Sequence, residues 1–98
     1  MNLNLKMLRQ EIDAINGQIV ALFAKRLDVV RKIAEVKKME AMPVDDPKRE
    51  AEQLNILRKM ARQHGVSAAV IEEIFSLFVD YSKLNMKMIV HIEERENV

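Results

Sequence analysis

From Leu5 to Glu40 the chain contains no proline and a single glycine, Gly17, so nothing there forces a helix to stop. Apolar residues recur at Leu8, Ile12, Ile15, Ile19 and Leu22, and again at Val29, Ile33 and Val36. Steps of four and three place them along one face of a helix. Such a helix holds about 36 residues and is roughly 54 Å long at ~1.5 Å per residue. A globule of 98 residues is far shorter, only about 26 Å across for a radius of gyration near 13 Å. Two further helices from one chain cannot cover the whole stripe. The sequence therefore predicts a second copy packed along it, in an obligate, interlocked homodimer. A long two-stranded coiled coil is the simpler arrangement, but the third helix presents an apolar face too wide for such a seam.

The first helix is expected to close at Met42-Pro43, because proline disfavours helical geometry in the residue before it. Residues 41–46 (AMPVDD) read as a loop. Asp46 is the expected N-cap of a second helix and Pro47 its first residue, where a missing N–H costs nothing. That helix should turn Leu54, Leu57, Met60 and Ala61 inward and stop at His64-Gly65, with Gly65 left-handed. Ser67 then caps a third helix with the apolar set Ile71, Ile74, Phe78, Tyr81, Met88 and Ile92. The expected architecture is all-α: three helices per chain, a long one and two shorter, in one domain over residues 1–98.

Composition narrows the function. Two Gly and two Pro are too few for the turns of a β-sandwich or barrel, which come about every 8–12 residues. The absence of Cys excludes a disulfide framework, a zinc ribbon and a thiol nucleophile. Sixteen Lys and Arg against fifteen Asp and Glu leave a net charge of +1, no field to attract nucleic acid or an acidic membrane. The opening MNLNLKMLRQEID lacks the apolar run of a secretory leader, and no stretch approaches the ~18–20 apolar residues of a membrane span. A cytoplasmic protein is expected.

Charges that break the helical pattern carry the functional signal. The register of the first helix demands a hydrophobe four residues after Leu22; that residue is Arg26. A guanidinium in a core stripe needs counter-charge, since burying it unpaired is costly. Lys37 follows eleven residues later, about three turns and roughly 16 Å along nearly the same face. Arg9 borders the stripe about 25 Å from Arg26, and the two share a site only across a dimer. Arg49 stands in the first turn of the second helix, where the dipole favours an acid instead, with Asp46 and Glu50 beside it. Taken singly, each cation reads as an ordinary ion-paired or solvated side chain. Converging on one cavity, the four describe a pocket for a small molecule with two or more carboxylates, Arg clamping in bidentate fashion and Lys acting as a point charge.

Other patterns carry less. His64 and His91 lie on different helices without a matching ligand set, so no metal site is expected; His91 and Glu94 read as a solvated pair. The seven Met, Met86 and Met88 among them, read as adaptable core. Two isolated glycines cannot build a phosphate loop, and nothing offers a strong covalent nucleophile. Asn85 occupies an apolar-register slot, as a buried registry residue or a ligand contact.

The ordered segments LRQEIDAIN (8–16), ALFAKRLDVVRKIAEVKK (21–38), PVDDPKRE (43–50) and FSLFVDYS (75–82) resemble the all-α chorismate mutases, the small intertwined-dimer class, over residues 5–90. The resemblance implies three-helix protomers, two interlocked copies and two pockets, each completed by helix 1 of the partner. It also implies conversion of chorismate to prephenate, a step of aromatic amino-acid biosynthesis, without a cofactor. By the same resemblance Arg9 would enter from the partner subunit and, with Arg26, hold the substrate carboxylates. Lys37 would face the breaking ether oxygen. Asp46 and Glu50 would bind the ring hydroxyl, with Arg49 orienting Glu50, and Ser82 would touch the ligand near a carboxylate. The family usually places Gln or Glu one turn after Ser82; here that residue is Met86. An isochorismate pyruvate lyase, a mutase of an amino- or iso-chorismate, and a non-catalytic regulatory or binding module are the alternatives. Glu50 and Asp46 favour the mutase, because a hydroxyl-binding acid belongs to that substrate.

Overall fold

The computed structural model describes residues 4–91; Ile92 and Glu94, assigned above to the third helix and to a pair with His91, lie outside them. Three helices follow in order, α1 (Leu5–Met39), α2 (Pro47–Gln63) and α3 (Ala68–Val90). Their starts are written in the sequence. Asn4 caps α1 by accepting the Lys6 N–H at 2.8 Å. Asp46 caps α2 through the Arg49 N–H at 3.1 Å, with Pro47 next. Ser67 caps α3 through the Val70 N–H at 3.3 Å. Each side-chain oxygen satisfies a donor that the helix itself leaves open. Gly65 ends α2 with φ +68°, the left-handed conformation expected of it.

The end of α1 falls within a residue of the expected length, but its cause differs. Helix geometry stops at Met39, four residues before Pro43, and Ala41 takes a left-handed φ of 53°. The Met42 N–H reaches back to the Lys37 carbonyl at 2.8 Å and the Ala41 N–H to the Lys38 carbonyl at 3.4 Å. This is the bonding of a Schellman cap. Backbone bonds, rather than the proline, terminate the helix. A Cβ in this conformation is strained by about 1–2 kcal/mol. Ala41→Gly should therefore stabilise the fold by about 0.5–1 kcal/mol once the greater freedom of unfolded glycine is deducted. Thermal unfolding at fixed protein concentration checks this: the midpoint should rise by a few degrees.

Helix α3 is the middle element, packed on α1 on one side and α2 on the other. Phe23 of α1 meets Phe78 and Tyr81 of α3 with ring centroids 5.0 and 5.5 Å apart. Phe75 adds an edge-on contact to Phe78. Between α2 and α3, Arg58 donates from Nε and Nη2 to Glu72 at 3.0–3.2 Å. The α2 seam consists of Leu54, Leu57 and Ala61; Met60, expected inward, is 48% exposed because it lies beside that seam. Ile74, Tyr81 and Met88 of α3 also keep large exposed faces.

The C-terminal half of α1 buries Val30, Ala34 and Lys37. The predicted stripe itself stays open along the whole helix: Leu8, Ile12, Ile15, Ile19 and Leu22 remain 39–64% exposed, and Val29, Ile33 and Val36 44–50%. The molecule is accordingly a rod, 65 × 27 × 17 Å. An apolar ridge along the length of a helix is more than a lone subunit ordinarily leaves in water.

Candidate active site

Three helical faces converge on one cleft. Arg26, Val30, Ile33 and Lys37 succeed one another on α1 in steps of four, three and four. Asp46, Arg49, Glu50 and Gln53 at the start of α2, and Val79, Ser82, Lys83 and Met86 on α3, follow in steps of three, one and three. All twelve line the same cavity, with Val29 and Val44. Steps of three and four hold residues on one face of a helix, so local periodicity alone gathers each set. The cleft measures about 420 Å³, within the range of small-molecule sites.

Three of its cations, Arg26, Lys37 and Arg49, are held without acidic partners among the described residues. Arg26 Nη1 donates a hydrogen bond to Ser82 Oγ, whose own hydroxyl donates to the Phe78 carbonyl at 2.7 Å. Partial burial lowers the Arg26 pKa from its ordinary value, yet a guanidinium stays charged at neutral pH. Lys37, only 9% exposed, donates from Nζ to the Val44 carbonyl at 2.8 Å. Arg49 lines the wall from the first turn of α2. Among the described residues, none of these three forms an ion pair with a carboxylate.

The acids are arranged differently. Asp46 uses Oδ1 to cap α2. Glu50 meets Lys83 at 2.7 Å, and Lys83 also meets Asp45 of the loop at 3.1 Å. Lys83, rather than Arg49, therefore holds the Glu50 carboxylate. Lys83 and Gln53 were not singled out from sequence. Lys83 lies off the apolar stripe of α3 and both its partners sit on other elements, so the local pattern carried no signal for it.

Of the residues singled out from sequence, Arg26, Lys37, Asp46, Arg49, Glu50, Ser82 and Met86 line the cleft. Arg9 does not. It is exposed on the N-terminal half of α1, about 25 Å from Arg26 along the same rod. Asn85 donates to the Tyr81 carbonyl at 2.9 Å on its own helix, and His64 engages the Met60 carbonyl at 2.9 Å. No group of three His, Cys, Asp or Glu among the described residues is placed to hold a metal ion. Arg26, Lys37 and Arg49 in the cleft can fix a polyanion and stabilise charge that develops on it.

Comparison with known proteins agrees in kind. The family model described as chorismate mutase type II matches residues 8–87. The T-protein of Haemophilus influenzae is 38% identical over 81 residues, covering 83% of this chain and 22% of that protein. A chorismate mutase of Methanocaldococcus jannaschii is 30% identical over 90 residues, covering 92% of this chain and 89% of that one. The bifunctional chorismate mutase/prephenate dehydratase of Escherichia coli is 28% identical over 83 residues, 85% of this chain and 22% of that protein. The chain thus spans about a fifth of the two longer relatives and most of the archaeal one.

Proposed function

The chain belongs to the type II chorismate mutase family, and on that premise we propose that it converts chorismate to prephenate, without a cofactor, in a cleft completed by a second copy of itself. One observation carries the reading: Arg26, Lys37 and Arg49 line a single cleft, and none is paired with a carboxylate among the described residues. Three cations with no acid of their own suit a ligand that brings carboxylates. The reaction asks for little else. Within one molecule an ether C–O bond breaks as a C–C bond forms, so no proton, electron or co-reactant enters. The demands are a folded, chair-like conformer and stabilisation of negative charge growing on the ether oxygen. Fixed cations supply both, by orientation and by electrostatic preorganisation.

In this assignment Arg26, with Arg9 of the partner subunit, clamps the two carboxylates. Lys37 faces the ether oxygen, Asp46 and Glu50 accept the ring hydroxyl, and Ser82 and Arg49 complete the wall. The exposed stripe from Leu8 to Leu22 supports the dimer, since a second copy laid along it would bury the ridge and bring an Arg9 towards the cleft. A cytoplasmic location fits a chain without cysteine; among the described residues no helix is long and apolar enough to cross a membrane.

Met86 sets the expected rate. It lines the cleft, and a thioether donates no hydrogen bond to a developing oxyanion. One preorganised donor is worth about 10²–10³ in rate. Met86→Gln should therefore raise kcat for chorismate at least about tenfold, even with imperfect geometry. An unchanged kcat in a folded variant would reject this placement of Met86. The function itself is tested by offering the purified protein chorismate and isochorismate and following both products. Prephenate from chorismate is the expected result. Pyruvate from isochorismate would make it a lyase, and binding without turnover a regulatory module.

A further inference from the structure

Lys83 differs from the other cations of the cleft because protein carboxylates already engage it. Its ammonium lies 2.7 Å from Glu50 Oε1 and 3.1 Å from Asp45 Oδ1. One side chain of α3 thus ties the first turn of α2 to the loop that follows α1. The pairing favours the charged forms. Hydrogen bonds to Glu50 and then Asp45 raise the Lys83 pKa, and the bond to Lys83 lowers that of Asp45. A partly exposed ion pair of this kind contributes little to stability, so its place matters more than its strength. Lys83 and Glu50 both line the cleft, at the end assigned to the ring hydroxyl. A carboxylate has two oxygens and several acceptor positions, so a Glu50 anchored through Oε1 keeps capacity to accept from a ligand.

We infer that Lys83 is a positioning residue that holds the Glu50 carboxylate where it accepts the substrate's ring hydroxyl, making that end of the cleft selective for a hydroxyl-bearing ring. The inference rests on the assignment of Glu50 to the hydroxyl. An unrestrained glutamate samples several rotamers, and misplacement of a contact by about 1 Å can cost up to 10²-fold in rate or binding to the activated state. The position of Asp45 suggests a competing explanation, in which Lys83 matters by tethering the loop. Separate variants distinguish the two.

The experiment is calorimetric and needs no turnover. Two bicyclic ether dicarboxylates that mimic the folded transition state, one with the ring hydroxyl and one without it, are titrated into the intact protein and its variants. Lys83→Met should weaken binding of the hydroxyl-bearing compound about tenfold and leave the other within about twofold, a selective loss that only an acceptor contact explains. Lys83→Arg should restore most of the affinity, and Asp45→Asn should change little. In a Glu50→Gln background, Lys83→Met should add nothing further. Equal weakening of both compounds, or an Asp45→Asn variant as impaired as Lys83→Met, would overturn the inference while leaving the mutase assignment in place. If neither compound binds the wild-type protein, the assignment of the cleft fails and this inference falls with it.

Discussion

Replacing Lys37 with Ala should lower kcat on chorismate by about 10²–10³-fold, the usual cost of removing one preorganised donor from a developing oxyanion. The expectation is at the high end because the proposed assignment puts no other donor on the ether oxygen. Met86 lines the same cleft, and its sulfur accepts weakly and donates nothing. Lys37 is also fixed in advance: it is buried, and its ammonium is held by the Val44 carbonyl at 2.8 Å. That same bond gives the side chain a structural share, which must be separated from the catalytic one. Losing a single such hydrogen bond costs about 1 kcal/mol of stability, or somewhat more where the carbonyl is left buried and unpaired. Urea unfolding measures the structural part and saturating steady-state kinetics the catalytic part. A folded Lys37→Ala protein with near-normal kcat would remove Lys37 from the ether oxygen altogether.

Much of this could be read from the residues before any coordinates. Helix starts were legible because Asp46-Pro47 and Ser67 act through local bonds that their own side chains make. Gly65 was legible for the same reason, since few other residues take its φ without strain. The turn that ends α1 was not, although its place was. Alanine favours helices, and nothing in its side chain announces the left-handed turn at Ala41; the backbone bonds from Met42 to Lys37 and from Ala41 to Lys38 impose it.

The cleft divided along similar lines. Arg26 stood out because a charge interrupted an apolar register, and Lys37 because it continued that face. Lys83 broke no register, so its long-range pairs with Glu50 and Asp45 left no mark in the local pattern. The Arg58–Glu72 bond between α2 and α3 escaped for the same reason. Burial on α1 was only half legible. The apolar stripe, Val29, Ile33 and Val36 included, stays exposed along the helix, while Val30, Ala34 and Lys37 beside it are buried; sequence periodicity does not say which face a neighbour covers.

The uncovered stripe of α1 leads to the second large effect. Arg9 is about 25 Å from Arg26 on the same helix, too far to serve the cleft of its own chain, yet the assignment gives it a substrate carboxylate. Arg9→Ala should therefore be nearly inactive, by a factor comparable to the loss of a charged hydrogen-bonded clamp, about 10²-fold or more. The most direct measurement mixes the Arg9→Ala and Lys37→Ala proteins, each inactive alone, after joint unfolding and refolding, with chain exchange verified by mass spectrometry. Random pairing makes half of the dimers mixed, and each mixed dimer has one cleft with both residues intact. About a quarter of all clefts should then be functional, in a closed two-fold assembly. Recovery of chorismate turnover to about a quarter of the wild-type rate is the predicted result. No recovery despite verified exchange, or a folded protein that sediments as a monomer, would contradict a cleft shared between two copies of this chain.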